Sequence, residues 1–304
     1  MDSIFGFDLI HKVLIETFGS KLVDRSKFYK CIRARDAGLF GGSLSQAQVE
    51  GMEGILAAME EVGDGRAKTL AYALATAYHE TGRKMVPVRE GFATTNEGAI
   101  KAVANLARRR GAGCAPDRYG KPTGPYGHCY YGRGHVQLTW HENYVASSVD
   151  AGVDLEREPD KMLDPVVSAR VLIKGLIDGR WNGKAKGIAH YLPEDGQDNL
   201  KDARRTVNIT DKWDMIARYY AAFLNAIETA GGWGSEPRPP CAEQHDTLPA
   251  SSTLGEAMVV ADKAEDDVRS EMDADLAAWI KNCPGEIREI GLWLASAPQR
   301  RSRQ

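Results

Sequence analysis

Hydrophobic side chains recur every three or four positions along most of this chain, which is the period of an amphipathic α-helix. One such stripe follows Ser45, which forms a predicted capping box with Gln48, and the next begins near Arg66. Two more are predicted from Pro165, a favoured residue in the first turn of a helix, and from Asp211. The pattern therefore predicts a mainly α protein.

Two shorter helices are predicted near the N-terminus, over Phe7–Phe18 and Arg25–Ala37. Strand patterns are few. Residues 111–134 are rich in Gly, Pro and Tyr and predict a loop or a short hairpin. An extended segment is predicted from Val136 onward.

The composition changes at Gly231, where a Gly- and Pro-containing stretch has the character of a linker. This change divides the chain into four parts. We predict an N-terminal helical extension over residues 1–44 that packs on the main domain, and the main domain itself over residues 45–230. A linker over residues 231–252 and an amphipathic helical tail over residues 253–304 follow.

The predicted tail has an uneven charge distribution. Acidic side chains dominate residues 256–275, and the end of the chain is basic at Arg300, Arg301 and Arg303. Such a tail either folds back on the main domain or contacts a protein partner.

Composition and charge exclude several classes of protein. The 304 residues include 43% hydrophobic and 27% charged side chains, which predicts a globular core. A net charge of −3 argues against a nucleic-acid-binding protein with a broad basic face. No apolar run approaches the length of a transmembrane helix, and the N-terminus lacks the features of a signal peptide. We therefore expect synthesis in the cytoplasm and no integral membrane segment.

Five cysteines without tight spacing predict reduced thiols, although Cys114 and Cys129 flank one loop and would be the pair to join in an oxidising compartment. Several possible metal ligands also occur close together in the sequence. None of them has the spacing of a zinc site, so no metal is predicted. These residues are Cys114, His128, Cys129, His135 and His141.

Two carboxylates, Glu80 and Glu90, flank a turn-prone stretch that contains Gly82 and Pro87. Hydrolysis of a glycosidic bond commonly uses two such groups, one to protonate the leaving oxygen and one to activate water or attack directly. Glu80 falls at the end of a well-packed helix, where burial favours the protonated form, whereas Glu90 follows a loop beside Arg89, which favours the ionised form. Spacing alone does not distinguish this pair from two solvated surface carboxylates.

A second segment, residues 130–144, is rich in aromatic, amide and hydroxyl side chains. In the predicted extended conformation Gln137 and Thr139 point to one side, where an amide and a hydroxyl can hold a sugar or a water. An ordinary aromatic-rich hairpin is the alternative. The residues that offer flat apolar faces with polar edges are Tyr130, Tyr131 and Trp140.

Three motifs occur in a fixed order along the chain. They are His-Glu-Thr-Gly at 79–82 with Glu90, Tyr-Gly-Arg-Gly-His-Val-Gln-Leu-Thr-Trp at 131–140 with Asn-Tyr at 143–144, and Arg-Arg-Thr-Val-Asn at 204–208. This set resembles the core of the family 19 chitinases and, more closely, the related phage and prophage endolysins. The similarity spans about residues 45–229.

The resemblance implies a mainly α, lysozyme-like fold with a substrate groove between two helical lobes, and an inverting mechanism without a cofactor. Glu80 would match the general acid, Glu90 the general base and Thr139 the hydroxyl residue that holds the attacking water. The two carboxyl groups would then lie roughly 6.5–9.5 Å apart. Arg204 or Arg205 would buttress the carboxylates. The candidate substrate contacts are His79, Tyr131, Gln137, Asn143 and Asn208.

Two features depart from the common family pattern. Ile209 stands where a glycine commonly follows the late asparagine, and the second glutamate comes only ten positions after the first, as in short-loop members. A short loop implies an open groove that admits a strand carrying lactyl-peptide substituents.

We therefore expect a polysaccharide substrate and hydrolysis of β-1,4 bonds in peptidoglycan, as by an endolysin, after release from the cell or as part of a virion. The alternatives are a chitinase acting on N-acetylglucosamine polymers and a non-catalytic, glycan-binding structural protein of a virion.

Overall fold

The computed structural model describes residues 23–181, 183 and 186–233, and within these ranges the fold is mainly α, as predicted. The predicted helix Phe7–Phe18, most of the linker and the entire helical tail lie outside the described residues. The α-helices are α1 (Arg25–Arg33), α2 (Gln46–Val62), α3 (Ala67–Glu80), α4 (Asn96–Arg110), α5 (Ala115–Tyr119), α6 (His141–Ala151), α7 (Pro165–Asp178), α8 (Ile188–Tyr191), α9 (Leu200–Ala203) and α10 (Trp213–Thr229).

Short elements connect these helices. Strands β1 (Val88–Arg89) and β2 (Arg133–Gly134) form an antiparallel pair in which Val88 faces Gly134. The 3-10 turns cover Arg35–Ala37, Glu90–Phe92, Pro159–Leu163 and Arg204–Thr206.

Helix α3 is the centre of the larger lobe. Every residue from Thr69 to Tyr78 is buried, because α3 is covered by α2, α7 and α10, and α1 packs on α10. Small alanine side chains along α3 let the neighbouring helices approach closely. The helix ends at Glu80, so a carboxyl group extends from the end of the most buried element of the lobe.

Local signals in the sequence correctly predicted where helices α2 and α7 begin. The Gln48 backbone N–H donates to the Ser45 hydroxyl at 3.2 Å and the Ser45 N–H donates to the Gln48 side chain at 2.8 Å, which is the predicted capping box. Helix α7 begins at Pro165 as predicted, and the carboxylate of Asp164 caps it by accepting from two backbone N–H groups.

The smaller lobe was predicted less completely. Helices α4 and α5 pack around a separate cluster of Ala99, Val103, Cys129 and Tyr131. Residues 111–134, predicted to be a loop or a short hairpin, contain α5 and end in β2.

The extended segment predicted from Val136 is wrong. Residues 135–137 form a turn in which Gln137 has a φ of 52°, and the backbone of Leu138 returns to pair with Arg133.

A glycine allows α2 to meet the loop that follows α3. A Cβ atom added at Gly51 would lie 1.9 Å from the carbonyl oxygen of Met85, a distance that no side chain can adopt. Met85 is itself buried, so the loop between Glu80 and Glu90 is held against the large lobe.

Across the ranges described above, no helix is both long and apolar enough to cross a membrane.

His135 links β2 to both the large lobe and this loop. Its backbone N–H donates to the Ser168 hydroxyl at 2.8 Å, and its ring Nε2 lies 3.0 Å from the carbonyl oxygen of Met85. The ring is fully buried, and burial lowers the pKa of His135 from 6.5 to about 4. Because a carbonyl oxygen only accepts, Nε2 carries the proton of the neutral ring.

This burial predicts a pH dependence of stability. Below pH 6.5 the unfolded chain protonates His135 while the folded chain does not, so stability falls as the pH decreases from 6.5 to 4. The total loss is about 3 kcal/mol, at 1.36 kcal/mol for each pKa unit. We expect urea unfolding to show this loss in the wild type and a flatter profile in His135→Gln. Equal slopes in the two proteins over this pH range would contradict the prediction.

Candidate active site

An open groove of about 660 Å³ runs between the two lobes. The large lobe contributes Glu80, Trp181, Tyr191 and the segment from Arg205 to Ile209, and the small lobe contributes the segment from Arg89 to Phe92 with residues of α4 and α5. Its floor is formed by Gly132, Val136, Gln137, Thr139, Trp140 and Asn143. The groove therefore brings together residues of all three sequence motifs.

Glu80 enters the groove from the C-terminal end of α3. Its Oε1 accepts a hydrogen bond from Nη2 of Arg204 at 2.7 Å, and the Glu80 side chain remains 17% exposed. No hydrogen bond to Glu80 Oε2 is found within the described part of the chain, so this oxygen is available to a ligand. The predicted buttress is therefore Arg204.

Arg204 is almost completely buried, at 1% exposure, and its Nε donates to the carbonyl oxygen of Asp211 at 3.1 Å. This bond orients the guanidinium toward Glu80. The immediate neighbour of the Glu80 carboxyl group is thus a buried guanidinium. Arg205 also lines the groove, but its guanidinium pairs with Asp202 at 2.8 Å and not with Glu80.

Glu90 lies on the opposite wall and is held by two donors. Its Oε1 accepts from the Tyr119 hydroxyl at 2.7 Å, and its Oε2 accepts from the backbone N–H of Gly132 at 2.9 Å. The Glu90 N–H also donates to the Gly132 carbonyl oxygen at 2.7 Å. Both carboxylate oxygens therefore have fixed positions.

Tyr119 retains its proton over the physiological range. Burial raises the pKa of Tyr119, and the negative charge of Glu90 raises it further, so the hydroxyl acts as a donor to the carboxylate. The Tyr119 ring packs edge-on against Trp140 with centroids 5.4 Å apart. Trp140 in turn lies beneath the guanidinium of Arg118, 5.0 Å from the ring centroid.

A charged network behind Glu90 secures the two short strands. Asp160 accepts from Arg89 in β1 at 2.8 Å and from Arg133 in β2 at 2.7 Å. Asn96 adds a third donor to Asp160 at 2.8 Å. Arg89 was expected to favour ionisation of Glu90, but its guanidinium is directed to Asp160 instead. The network therefore positions the backbone on both sides of Glu90.

Thr139 follows the turn at residues 135–137 and lines the same groove as the two carboxylates. Gln137 donates from Nε2 to the Val88 carbonyl oxygen at 2.9 Å, and Asn143 donates from Nδ2 to the Thr139 carbonyl oxygen at 2.9 Å. Both amides therefore hold backbone as well as line the groove. No partner of the Thr139 hydroxyl is found among the residues that the structure describes, so the hydroxyl is available to a water or a sugar.

Two of the predicted substrate contacts, Tyr131 and His79, lie outside the groove, and a third, Asn208, lines the groove but binds the backbone. Tyr131 is fully buried, does not line the groove, and donates its hydroxyl to Asn96. His79 does not line the groove either, and burial lowers its pKa. Asn208 lines the groove, but its Oδ1 accepts from the backbone N–H of Ile209 at 2.8 Å.

Ile209 raises no conformational problem. It is highly exposed and is not among the residues with positive φ, so the backbone at this position does not require glycine. The substitution of isoleucine for the common glycine is therefore compatible with this loop.

The sequence did not indicate several residues of the site. Tyr119 is 29 positions from Glu90, within a segment that looked like a loop, and Asp160 is 71 positions from Arg89. Trp181 and Tyr191 also line the groove without belonging to any motif. No local pattern connects these residues to the carboxylates.

Over residues 23–181, 183 and 186–233, no group of three or more His, Cys, Asp or Glu side chains is placed to hold a metal ion. Cys114 and Cys129 are both free thiols.

One protein-family model and two crystal structures are similar to parts of this chain. Residues 47–180 match the family model described as chitinase class I, which is glycoside hydrolase family 19. The chain is similar to the crystal structure of chitinase C from Streptomyces griseus HUT6037, with 20% identity, coverage of 71% of this chain and 79% of that chain, and a TM-score of 0.40. A chitinase C mutant is also similar, with 18% identity, coverage of 72% and 98%, and a TM-score of 0.41.

The matched residues contain Glu80, Glu90 and Thr139, while the third motif lies beyond them. The match confirms the resemblance to family 19 over residues 47–180, and the closer resemblance to phage and prophage endolysins stays a prediction.

Proposed function

We propose, on the premise that residues 47–180 are those of a family 19 glycoside hydrolase, that the groove cleaves β-1,4 bonds of peptidoglycan by an inverting reaction. In this proposal Glu80 is the general acid and Glu90 is the general base. The observation that carries it is the placement of both carboxyl groups in one groove, each held by partners of a different kind.

The surroundings of Glu80 suit a proton donor. Only Oε1 is occupied by Arg204, so Oε2 can carry the proton toward the oxygen of the leaving sugar. When that proton is transferred, Glu80 becomes a carboxylate beside a buried guanidinium. Arg204 then stabilises the charge that the reaction creates.

The surroundings of Glu90 suit a base. Tyr119 and Gly132 donate to its two oxygens, which is the hydrogen bonding of an ionised carboxylate. Each oxygen retains a lone pair that can accept a proton from water. The Thr139 hydroxyl lines the same groove and would hold that water for attack on the anomeric carbon.

Peptidoglycan is favoured as the substrate because the groove is open and the loop between the two glutamates is short. A strand with lactyl-peptide branches needs space beside the sugar chain. Action on the wall further requires that the protein reach it after release from the cell or as part of a virion.

Chitin is the second candidate, and the family match favours it, because the matching model is described as chitinase class I. Linear N-acetylglucosamine chains present the same β-1,4 bond without the branches. The two substrates must therefore be tested in parallel.

The decisive experiment compares wild type with Glu80→Gln on three substrates. We expect wild type to clear outer-membrane-permeabilised Gram-negative cells and the variant to lose this activity. Mass spectrometry of digested sacculi identifies which bond is cut, and proton NMR of fresh products should show the α anomer expected from inversion. Release of reducing ends from chitin oligomers alone would transfer the proposal to chitin, and no release from either glycan would refute it.

A further inference from the structure

Five charged side chains line the groove, and within the described ranges Glu90 and Arg110 are the two that form no salt bridge. Glu80 pairs with Arg204, Arg89 with Asp160, and Arg205 with Asp202. Arg110, at the end of α4, also lines the groove and is exposed. Within the described ranges, no salt bridge to Arg110 is present.

The loop that follows Arg110 contains two glycines with open space beside them. Gly111 and Gly113 follow at once, both with positive φ, and a Cβ atom at either position would meet no heavy atom within 4 Å. The next groove residues, Ala115 and Pro116, are small or compact. A substituent that leaves the glycan chain at this point would find open space next to an unpaired guanidinium.

A second arginine, Arg118, contacts a residue of the groove but does not itself line the groove. Arg118 is exposed, forms no salt bridge to any described residue, and lies over Trp140, which lines the groove. Arg110 is also close enough to Tyr119 to lower its pKa slightly against the effect of burial. Two exposed arginines without a salt bridge in the described ranges therefore lie near the wall that carries Glu90.

We propose that Arg110, assisted by Arg118, forms a subsite for a carboxylate of the peptide substituent on the glycan. This inference rests on the proposed function and specifies the substrate class, because fully acetylated chitin carries no such charge. A guanidinium recognises a carboxylate through two parallel N–H donors, which gives both attraction and orientation. The subsite therefore selects for the branched, anionic strand over the neutral one.

Helix α4 itself offers a matched control. Arg109 precedes Arg110 in the same turn, is equally exposed and has the same favourable position at the helix C-terminus, but does not line the groove. Replacement of either arginine by glutamine removes one charge from the same helix end. Only Arg110→Gln should change recognition of the substituent.

The first test measures binding and does not depend on turnover. The ligand is an N-acetylglucosaminyl-N-acetylmuramyl dipeptide, compared with the same molecule after conversion of its carboxylates to amides. We expect calorimetric titration to show that wild type and Arg109→Gln bind the acid form about tenfold more tightly than the amide form, and that Arg110→Gln does not distinguish them. The preference should also weaken as the salt concentration rises. Equal affinities in wild type, or a preference that survives in Arg110→Gln, would overturn the inference.

The second test uses hydrolysis. The ratio of kcat/KM on peptidoglycan strands to kcat/KM on a chitin hexamer should fall about tenfold in Arg110→Gln, mainly through KM, and stay constant in Arg109→Gln. An unchanged ratio in Arg110→Gln would count against the subsite. A wild-type enzyme that cleaves only chitin would refute the proposed substrate, and the binding measurement would still decide the inference.

Discussion

Glu80→Gln is expected to lower kcat on peptidoglycan or chitin roughly 10³-fold, because glutamine cannot donate a proton to the leaving sugar. The amide oxygen can still accept the hydrogen bond from Arg204, so the side chain should keep its position. The activity should return in part on an aryl chito-oligosaccharide whose leaving group needs no protonation. Initial rates on the natural and aryl substrates measure this difference.

Stability must be separated from catalysis in this variant. Arg204, whose side chain is only 2% exposed, donates to Glu80, so the weaker hydrogen bond to an amide oxygen should cost about 1 kcal/mol of folding free energy. A thermal melt followed by circular dichroism sets the temperature at which both proteins are folded, and rates are compared there. If the folded variant hydrolyses the natural glycan at the wild-type rate, Glu80 is not the acid.

Glu90→Gln is expected to have a loss of similar size, roughly 10³-fold in kcat, because an amide does not take a proton from water. The variant should fold. Its amide oxygen can accept from the Gly132 N–H, and its amide nitrogen can donate to the Tyr119 hydroxyl, which accepts as well as donates. Unlike the rate of Glu80→Gln, the hydrolysis rate of this variant should not rise on an aryl substrate with an activated leaving group.

Azide provides the corresponding test for the base, since this small nucleophile needs no deprotonation. We expect azide to restore turnover of Glu90→Gln and to yield the α-glycosyl azide, while leaving Glu80→Gln unaffected on the natural substrate. Tyr119→Phe is the graded comparison. It retains the carboxylate but removes one donor, so kcat should fall about tenfold. In the experiment with Glu90→Gln, formation of the β-glycosyl azide, or no rescue of turnover by azide, would argue against Glu90 as the base.

The helical architecture was largely predictable from local signals. The capping box at Ser45 and Gln48, the proline at the start of α7 and the apolar stripe of α3 depend on neighbours within one or two turns. The Gln137 turn was not predictable in this way. Its φ of 52° is stabilised by bonds to Val88 and Gly134, and Val88 belongs to a strand far away in the chain.

The sequence by itself determined the mainly α fold, because helix periodicity is encoded in neighbouring residues, and its motifs predicted the two carboxylates and the hydroxyl of Thr139 through the family resemblance. Only the tertiary structure decided how those groups are held. Arg204 reaches Glu80 across 124 positions, and Tyr119 reaches Glu90 across 29. Such partners depend on how whole helices pack, and packing sums many weak contacts that no short segment contains. For the same reason Tyr131, part of the most recognisable motif, lies in the core of the small lobe, while the unpaired Arg110 lies in the groove.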